Sequence, residues 1–333
     1  MLSKRLFSLH LLALLALCAL FVPHFAAAQT EFINASSGES LRVSVSPQYP
    51  KAFETVNVSV EDFSRNLDNL TISWALNGKT QQKGVGLKTF SFTTGALGTV
   101  SNLTITIGGS ARTVAIRPTG VDLLWQAASY VPPFYKGKAL HSNQDPLIVV
   151  AEPFFLTSTG KRLDPSTLTY KWSQNGKVSQ EASGYGRRSF TVRPSVLSKS
   201  IDVSVEVTSS TGDYKSTAHT SIDEVSPEVL VYENNPLFGI QSQVALNNKT
   251  FILGAKPETT FLAVPFFFSV GDSGENISYN WSQNGTDLNK TTSSIIFRAP
   301  AEGGGESAVG VQVKSALSIM QGSSASFSVR FKK

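Results

Sequence analysis

The segment Tyr170-Lys171-Trp172-Ser173-Gln174-Asn175-Gly176-Lys177 is one of three similar segments in the chain, and their recurrence indicates the architecture. The other two are Ile72-Ser73-Trp74-Ala75-Leu76-Asn77-Gly78-Lys79 and Tyr279-Asn280-Trp281-Ser282-Gln283-Asn284-Gly285-Thr286. The three tryptophans stand roughly 100 residues apart, which is the usual size of one β-sandwich domain. The spacing therefore predicts three consecutive domains.

Each version of the motif describes a strand that ends in a tight turn. The residue two positions before each tryptophan is apolar, and residues two apart share one face of a strand. Asn-Gly follows each tryptophan, and both residues tolerate the positive φ angles of a two-residue hairpin. The pattern predicts that a tryptophan fills the core of each domain, in preference to stacking on a ligand. These predicted core residues are Trp74, Trp172 and Trp281.

The second and third versions belong to longer duplicated units. Ala151-Glu152-Pro153-Phe154-Phe155 precedes the second motif, and Ala263-Val264-Pro265-Phe266-Phe267 precedes the third. Further upstream, Leu123-Leu124-Trp125, Pro133-Phe134 and Ala139-Leu140 parallel Leu230-Val231-Tyr232, Leu237-Phe238 and Ala245-Leu246. The first unit lacks the Pro-Phe-Phe element, so it is a more distant relative.

Alternation of apolar and polar residues predicts an all-β fold. Such alternation with β-branched residues indicates half-buried strands, and several short strands separated by turns indicate two-layer sandwiches. The alternating runs cover residues 41–45, 56–60, 103–107, 201–207 and 309–313.

We predict domain boundaries at 29–119, 120–225 and 226–333 after an N-terminal segment 1–28. The junctions at 117–120 and 223–227 are short and contain proline. Short linkers of this kind have limited flexibility, so we expect a stiff, elongated rod.

The combination of these features resembles a known class of modules. An apolar-x-Trp strand followed by Asn-Gly, between alternating strands and without cysteine, resembles the immunoglobulin-like and PKD-like modules of bacterial surface proteins. Residues 43–107 resemble a PKD-like module, and residues 121–222 and 228–331 resemble paired immunoglobulin-like modules of an uncharacterised envelope family. The resemblance implies spacing, adhesion or protein contact outside the cell. The disulfide of antibody domains is missing, so packing alone must hold the tryptophans.

The N-terminal segment is predicted to be a secretory signal peptide. Lys4 and Arg5 precede an apolar run over residues 6–25, and Ala26-Ala27-Ala28 precedes the polar Gln29. This order is typical of a signal peptide, with cleavage after Ala28. The apolar run is close to the roughly 20 residues that span a bilayer, so a retained single-pass anchor is the alternative. We expect the protein in the periplasm, at the cell surface or outside the cell.

The composition argues against catalysis, metal binding and nucleic-acid binding. Cys18 is the only cysteine and lies in the predicted signal peptide, so we expect no disulfide and no thiolate metal site after cleavage. His141 and His219 are the only histidines beyond residue 28, and no partner motif accompanies either. The net charge of +5 is mild and scattered, unlike the basic stripe that nucleic-acid binding requires. We predict no enzyme activity, no cofactor, no metal and no nucleic-acid partner.

Aromatic residues supply the predicted interaction surface. Adjacent phenylalanines on a strand point to opposite faces, so one ring of each Phe-Phe pair should lie outside the core and meet a neighbouring domain or a partner. The segment 130–135 is aromatic and proline-rich; a bulged first strand at the domain edge is favoured over a partner surface. The candidate surface is Phe134, Tyr135, Phe154, Phe155, Phe266 and Phe267.

The segment 271–276 is predicted to form a polar turn. Gly271-Asp272-Ser273-Gly274-Glu275-Asn276 suits a polar turn better than a calcium loop, because alternating acidic ligands are missing.

The expected function is binding or adhesion at the cell envelope, with an unknown protein or a cell-surface glycan as partner. The alternatives are a structural spacer or surface-appendage component, and a carboxylate-based hydrolase. A membrane is a partner only if the signal segment is retained.

Overall fold

A computed structural model describes residues 40–196, 198–254, 256–269, 276–300 and 302–331. The predicted signal peptide lies outside the described residues, as does the candidate calcium loop except for Asn276. The described chain is all-β, which confirms the predicted fold class, and its only helical segments are the 3₁₀ turns Leu67–Asn69 and Pro165–Thr167. None of its helices is long and apolar enough to span a membrane.

The first sandwich packs a three-stranded sheet against a four-stranded one. The sheet orders are β1-β2-β5 and β4-β3-β6-β7, and all pairs are antiparallel. Its strands are β1 (Leu41–Ser46), β2 (Thr55–Asp62), β3 (Thr71–Leu76), β4 (Lys79–Val85), β5 (Thr89–Thr93), β6 (Ser101–Ile107) and β7 (Ser110–Ile116).

The second sandwich has the same two layers. Its sheet orders are β13-β9-β8 and β11-β10-β14-β15, with β12 also pairing with β10. Its strands are β8 (Val121–Ala127), β9 (Leu147–Pro153), β10 (Thr169–Gln174), β11 (Lys177–Val178), β12 (Gly184–Tyr185), β13 (Ser189–Val192), β14 (Ser200–Thr208) and β15 (Lys215–Asp223).

The third sandwich adds one parallel strand at the edge of its second sheet. The sheet orders are β17-β16-β19-β22 and β18-β24-β23-β20-β21, where β18 runs parallel to β24. Its strands are β16 (Glu228–Asn235), β17 (Gly239–Ile240), β18 (Thr250–Gly254), β19 (Glu258–Phe266), β20 (Ile277–Gln283), β21 (Thr286–Asp287), β22 (Ser294–Arg298), β23 (Gly305–Ser315) and β24 (Gly322–Phe331).

Each sandwich encloses its own apolar core around one tryptophan. The three clusters fall within residues 43–116, 121–222 and 229–329, while the finer domain boundaries stay predictions. Trp74, Trp172 and Trp281 are completely buried. Their indole Nε1–H groups donate to the carbonyl oxygens of Leu87, Arg187 and Thr292 at 2.8, 2.8 and 2.9 Å.

The Asn-Gly turn of each domain connects the two strands of a hairpin and also bonds to a third strand. Asn175 has φ of 49° and Gly176 has φ of 75°, as the tight turn requires. The Asn175 N–H donates to the Asp202 carbonyl at 2.8 Å, and its Oδ1 accepts from the Asp202 N–H at 2.9 Å. The turn is thereby fastened to β14. Asn77 makes the same pair of bonds with Asn102, and Asn284 makes them with Ala308.

The strand register corrects the alignment of the duplicated units. Pro153 pairs with Val121, and Pro265 pairs with Val229. Leu124 therefore corresponds to Tyr232, one residue away from the match that the letters suggest. A shift of one residue moves a side chain to the opposite face of the sheet. The alignment by sequence letters therefore matches core residues of one unit with outer residues of the other.

The bonds of the turn asparagine lead to a stability prediction. Asn175→Ala removes the acceptor for the Asp202 N–H and places alanine in a left-handed conformation, so we expect a loss of about 1–2 kcal/mol in the free energy of unfolding. Asn175→Asp keeps an acceptor oxygen and should lose much less. Urea unfolding followed by tryptophan fluorescence checks this, and equal losses for both variants would contradict the role of the side chain.

Candidate functional site

The six aromatic residues of the candidate surface do not form one surface. Phe134, Tyr135, Phe266 and Phe267 come together between the second and third sandwiches. Phe154 lies apart, half-buried, with the Arg162 guanidinium 5.2 Å above its ring.

Phe155 does not belong to the predicted interaction surface. It is fully buried and stacks on Tyr214 at 6.0 Å within the core of the second sandwich. Its position continues the alternation of β9 beyond the end of that strand at Pro153, because Ala151, Pro153 and Phe155 are all buried.

The segment 130–135, called the arm below, connects the two sandwiches. Interpreting it as a bulged strand is wrong, since β8 ends at Ala127 and the arm lies on the outer face of β16 and β19. The Tyr130 N–H donates to the Phe268 carbonyl at 2.8 Å, and the Phe267 N–H donates to the Tyr130 carbonyl at 2.7 Å. These two bonds join the sandwiches through their backbones.

Ring contacts bury the arm against the third sandwich. The Phe134 ring meets the Tyr232 ring edge-on at 5.6 Å. The Tyr135 ring meets the rings of Phe266 and Phe267 at 5.8 and 5.7 Å. Edge-to-face pairs of this kind add about 0.5–1.5 kcal/mol each beyond area burial, so the contact is specific as well as apolar.

Phe267 owes its outward position to an extra residue in the third unit. Phe268 occupies the fully buried position that Phe155 holds in the second unit, which leaves Phe267 as an insertion. Its φ of 60° is unusual for a residue other than glycine. Such a conformation costs on the order of 1–3 kcal/mol, and the backbone bonds and ring contacts with the arm offset this cost.

A buried polar network lies beside the aromatic contacts. Ser142 Oγ lies 2.5 Å from both the Phe267 carbonyl and Asp145 Oδ2, and Ser269 Oγ donates to Asp145 Oδ1. A hydroxyl carries one proton, so Ser142 bonds both oxygens when the Asp145 carboxyl holds a proton. Burial raises the pKa of Asp145, which favours that form.

Gln321 is the centre of this network. Its Nε2 donates to Ser142 Oγ at 2.8 Å and to the Asn143 carbonyl at 2.6 Å, while its Oε1 accepts from the Ser269 N–H at 2.5 Å. Ser318 Oγ donates to Gln144 Oε1 at 2.7 Å on the same side. The arm, the loop 141–146 and the residues that they contact on the third sandwich are called the joint below.

His141 is buried inside the joint. Its side chain is buried, and neither ring nitrogen has a partner within hydrogen-bonding geometry among the described residues. The Asp145 backbone lies near the ring and favours its charged form. Burial lowers the pKa of His141, although the carboxylates of Asp145 and Glu224 act in the opposite direction. His219 is exposed on β15, 3.5 Å from Asp202. The structure therefore does not bring the two histidines together.

The junction between the first and second sandwiches is simpler. The Thr119 N–H donates to the Pro50 carbonyl at 2.9 Å, and Thr119 Oγ1 donates to the Lys215 carbonyl at 2.7 Å. The Arg117 guanidinium lies 5.9 Å from the Tyr214 ring centre. The Lys215 ammonium lies 5.3 Å from the Tyr49 ring centre.

Sequence reasoning missed the polar half of the joint. Ser142, Ser269 and Gln321 are uncharged residues in separate loops, and no local pattern shows that these loops meet. Asp145 was visible only as part of a polar loop. Across the described ranges, histidines and carboxylates form no group of three or more that could hold a metal.

Comparison with known proteins finds similar solved structures and identifies no family. No family model and no curated protein matches the sequence. Similar solved structures include three N-terminal domains of the outer capsid protein Hoc of bacteriophage RB49, with 14% identity, a TM-score of 0.27, and coverage of 88% of this chain and 98% of that one. The central fibronectin-III array of RIM-binding protein has 10% identity and a TM-score of 0.32, covering 90% and 100%. Fibronectin(III)-like modules of CbhA from Clostridium thermocellum have 11% identity and a TM-score of 0.25, covering 55% and 93%.

The buried histidine predicts a pH dependence. Because the pKa of His141 is lowered in the folded protein, the unfolded chain binds more protons below about pH 6.5, and His141 makes stability fall as the pH falls through that value. The raised pKa of Asp145 acts in the opposite direction at lower pH.

His141→Leu isolates this contribution. The variant removes two unpartnered nitrogens, so we expect about 1–3 kcal/mol of added stability at neutral pH and a smaller loss between pH 7.5 and 5.5. Urea unfolding at the two pH values measures both effects. His219→Leu, at an exposed position, is the control; an unchanged pH response in His141→Leu would contradict the account.

Proposed function

We propose that this chain is an exported, non-enzymatic protein of the cell envelope that works as a structural spacer. The joint is the observation that carries the proposal. Four residues of the predicted interaction surface, Phe134, Tyr135, Phe266 and Phe267, meet in the contact between the second and third sandwiches. This is the neighbouring-domain alternative of the prediction, and backbone and polar contacts join the two sandwiches as well.

Rigidity is what distinguishes this joint from an ordinary linker. Domains within one chain are expected to move relative to each other unless their interface is large and apolar. Here the arm lies on an apolar sheet face, and residues 141–145 are buried apart from Gln144. A pair of sandwiches held in this way sets a fixed distance between whatever its two ends carry.

The site chemistry supports a role without catalysis. A catalytic histidine needs solvent or substrate access and a partner that orients it. His141 has neither in the joint, and His219 has only a single carboxylate nearby on an open strand surface. Export and envelope location rest on the signal-like segment 1–28 and belong to the proposal.

Distance measurements between spin labels test the proposed rigidity. Residues beyond 28 include no cysteine, so Thr217→Cys and Ser324→Cys give one exposed label on each of the two sandwiches. We expect a single narrow distance distribution, and a broad one after Phe134→Ala combined with Gln321→Ala. Phe154→Ala, outside the joint, is the matched control. A wild-type distribution as broad as that of the double variant would refute the spacer proposal.

Adhesion is the second candidate, and one turn favours it. The turn between β23 and β24 buries Ser318 and Gln321 in the joint but exposes Leu317, Ile319 and Met320, with Ile319 97% exposed. Contiguous exposed apolar residues mark interaction sites. The apolar character suits a protein partner better than a glycan.

Capture from envelope extract tests the adhesion candidate. We expect a protein that binds the wild-type chain to be lost with Ile319→Ser combined with Met320→Ser, because the substitutions remove the apolar contact. Val85→Ser, at an exposed position on the first sandwich, should retain it. Equal recovery with all three chains would exclude this turn as the binding site.

A further inference from the structure

The joint shows which surface a proline-aromatic segment covers in this protein. Pro133 and Phe134 follow the first strand of the second sandwich and lie on the outer face of the first sheet of the third. That outer face is apolar; it consists of Leu230, Tyr232, Leu262, Val264 and Phe266.

The third sandwich carries a segment of the same kind that covers nothing among the described residues. Pro236-Leu237-Phe238, called the tip below, follows β16 as the arm follows β8. The Leu237 and Phe238 side chains are 84% and 77% exposed. Ile240, at the base of the tip, lines a cavity of about 230 Å³ together with Pro133 and Phe134. The tip is thus continuous with the interface that the arm has already formed.

Hydrogen bonds fix the backbone of the tip. Asn235 Oδ1 accepts hydrogen bonds from the N–H groups of Leu237 and Phe238 at 2.9 and 3.2 Å. Gly239 supplies a φ of 70° that returns the chain to β17. Because these bonds fix the backbone in the free protein, little ordering is needed when the two apolar side chains meet a partner.

The second sandwich carries the complementary uncovered face. By the strand register, Leu124 corresponds to Tyr232 and Val150 to Leu262. Leu124 is 61% exposed and the neighbouring Ile148 is 52% exposed. Glu152, which corresponds to Val264, is engaged by Arg162 and Arg188, so the apolar part of this face is the region around Leu124, Ile148 and Val150, called the free face below.

The first sandwich has no arm to cover the free face. The connection from β1 to β2 spans only residues 47–54, whereas the connection from β8 to β9 spans residues 128–146. The third sandwich thus carries an uncovered proline-aromatic segment, and the second sandwich carries an uncovered apolar face.

We propose that the tip of one molecule docks on the free face of a second copy. The contact repeats, between molecules, the contact that the arm makes within each molecule. It is heterologous, since the tip and the free face are different surfaces, and each molecule keeps one of each unused. Contacts of this type produce open chains or closed rings. The inference does not depend on the proposed spacer function, because it uses surfaces outside the joint.

The contact should be weak. It involves a turn on one sheet face, which is small against the roughly 1,200–2,000 Å² of a standard interface. We therefore expect association that increases with concentration, and not a permanent dimer.

Sedimentation velocity of the chain without residues 1–28, from micromolar to millimolar concentration, tests the proposal. We expect the wild-type average mass to rise beyond that of a dimer. Leu237→Ser combined with Phe238→Ser removes the apolar side chains of the tip. Leu124→Ser combined with Ile148→Ser removes apolar side chains of the free face. Each of these two double variants, studied by itself, should stay monomeric. All four positions are exposed, so folding should be preserved. The control, Val85→Ser, at an exposed position on the first sandwich, should associate like the wild type.

A mixture of the two variants gives the decisive result. One variant keeps its free face and the other keeps its tip, so the mixture should form a one-to-one dimer and stop there. A wild-type chain that remains monomeric at all concentrations would overturn the proposal. So would association that survives in either variant alone, or a mixture that stays monomeric while the wild type associates.

Discussion

A buried tryptophan without a disulfide is the constraint around which each sandwich is built. The indole ring fills the core, but its N–H must find an acceptor, because a buried unpaired donor costs about 1–3 kcal/mol. Trp74, Trp172 and Trp281 each donate to a backbone carbonyl in the connection that leads from their own sheet to the opposite one. The asparagine of the following turn then fastens the tryptophan strand to its other neighbour. Core, hairpin and sheet order are thus coupled within a single eight-residue motif.

The duplicated units diverge where they meet. The extra residue at Phe267 leaves Phe268 in the core position and turns one ring outward. The long connection after β8 then reaches this ring with Tyr135, and Ser142 bonds the Phe267 carbonyl. One inserted residue in one unit and one lengthened loop in the other therefore create an interface from two similar domains. The interface contains a buried carboxyl and a buried imidazole, which make its stability sensitive to pH.

The fold followed from the sequence because its signals are local. Period-two alternation and Asn-Gly turns each act within a few residues, and the strands they indicated are present. The joint depends on contacts between residues more than a hundred positions apart, such as Ser142 with Gln321, which no local pattern contains. The aromatic residues were recognised as binding residues, but composition could not say whether they bind another protein or the next domain. Phe155 was misplaced because both rings of its pair were assigned to the surface, whereas the alternation that buries Ala151 and Pro153 also buries Phe155.

We propose that the second and third sandwiches form one body through the joint. Hydrogen exchange of the backbone amides of Tyr130 and Phe267 tests it directly, since both bonds cross between the sandwiches. If the joint is permanent, these amides exchange only through opening of the interface and should be protected nearly as well as those in β19. Exchange at the rate of an exposed loop, with β19 still protected, would show that the two sandwiches move independently.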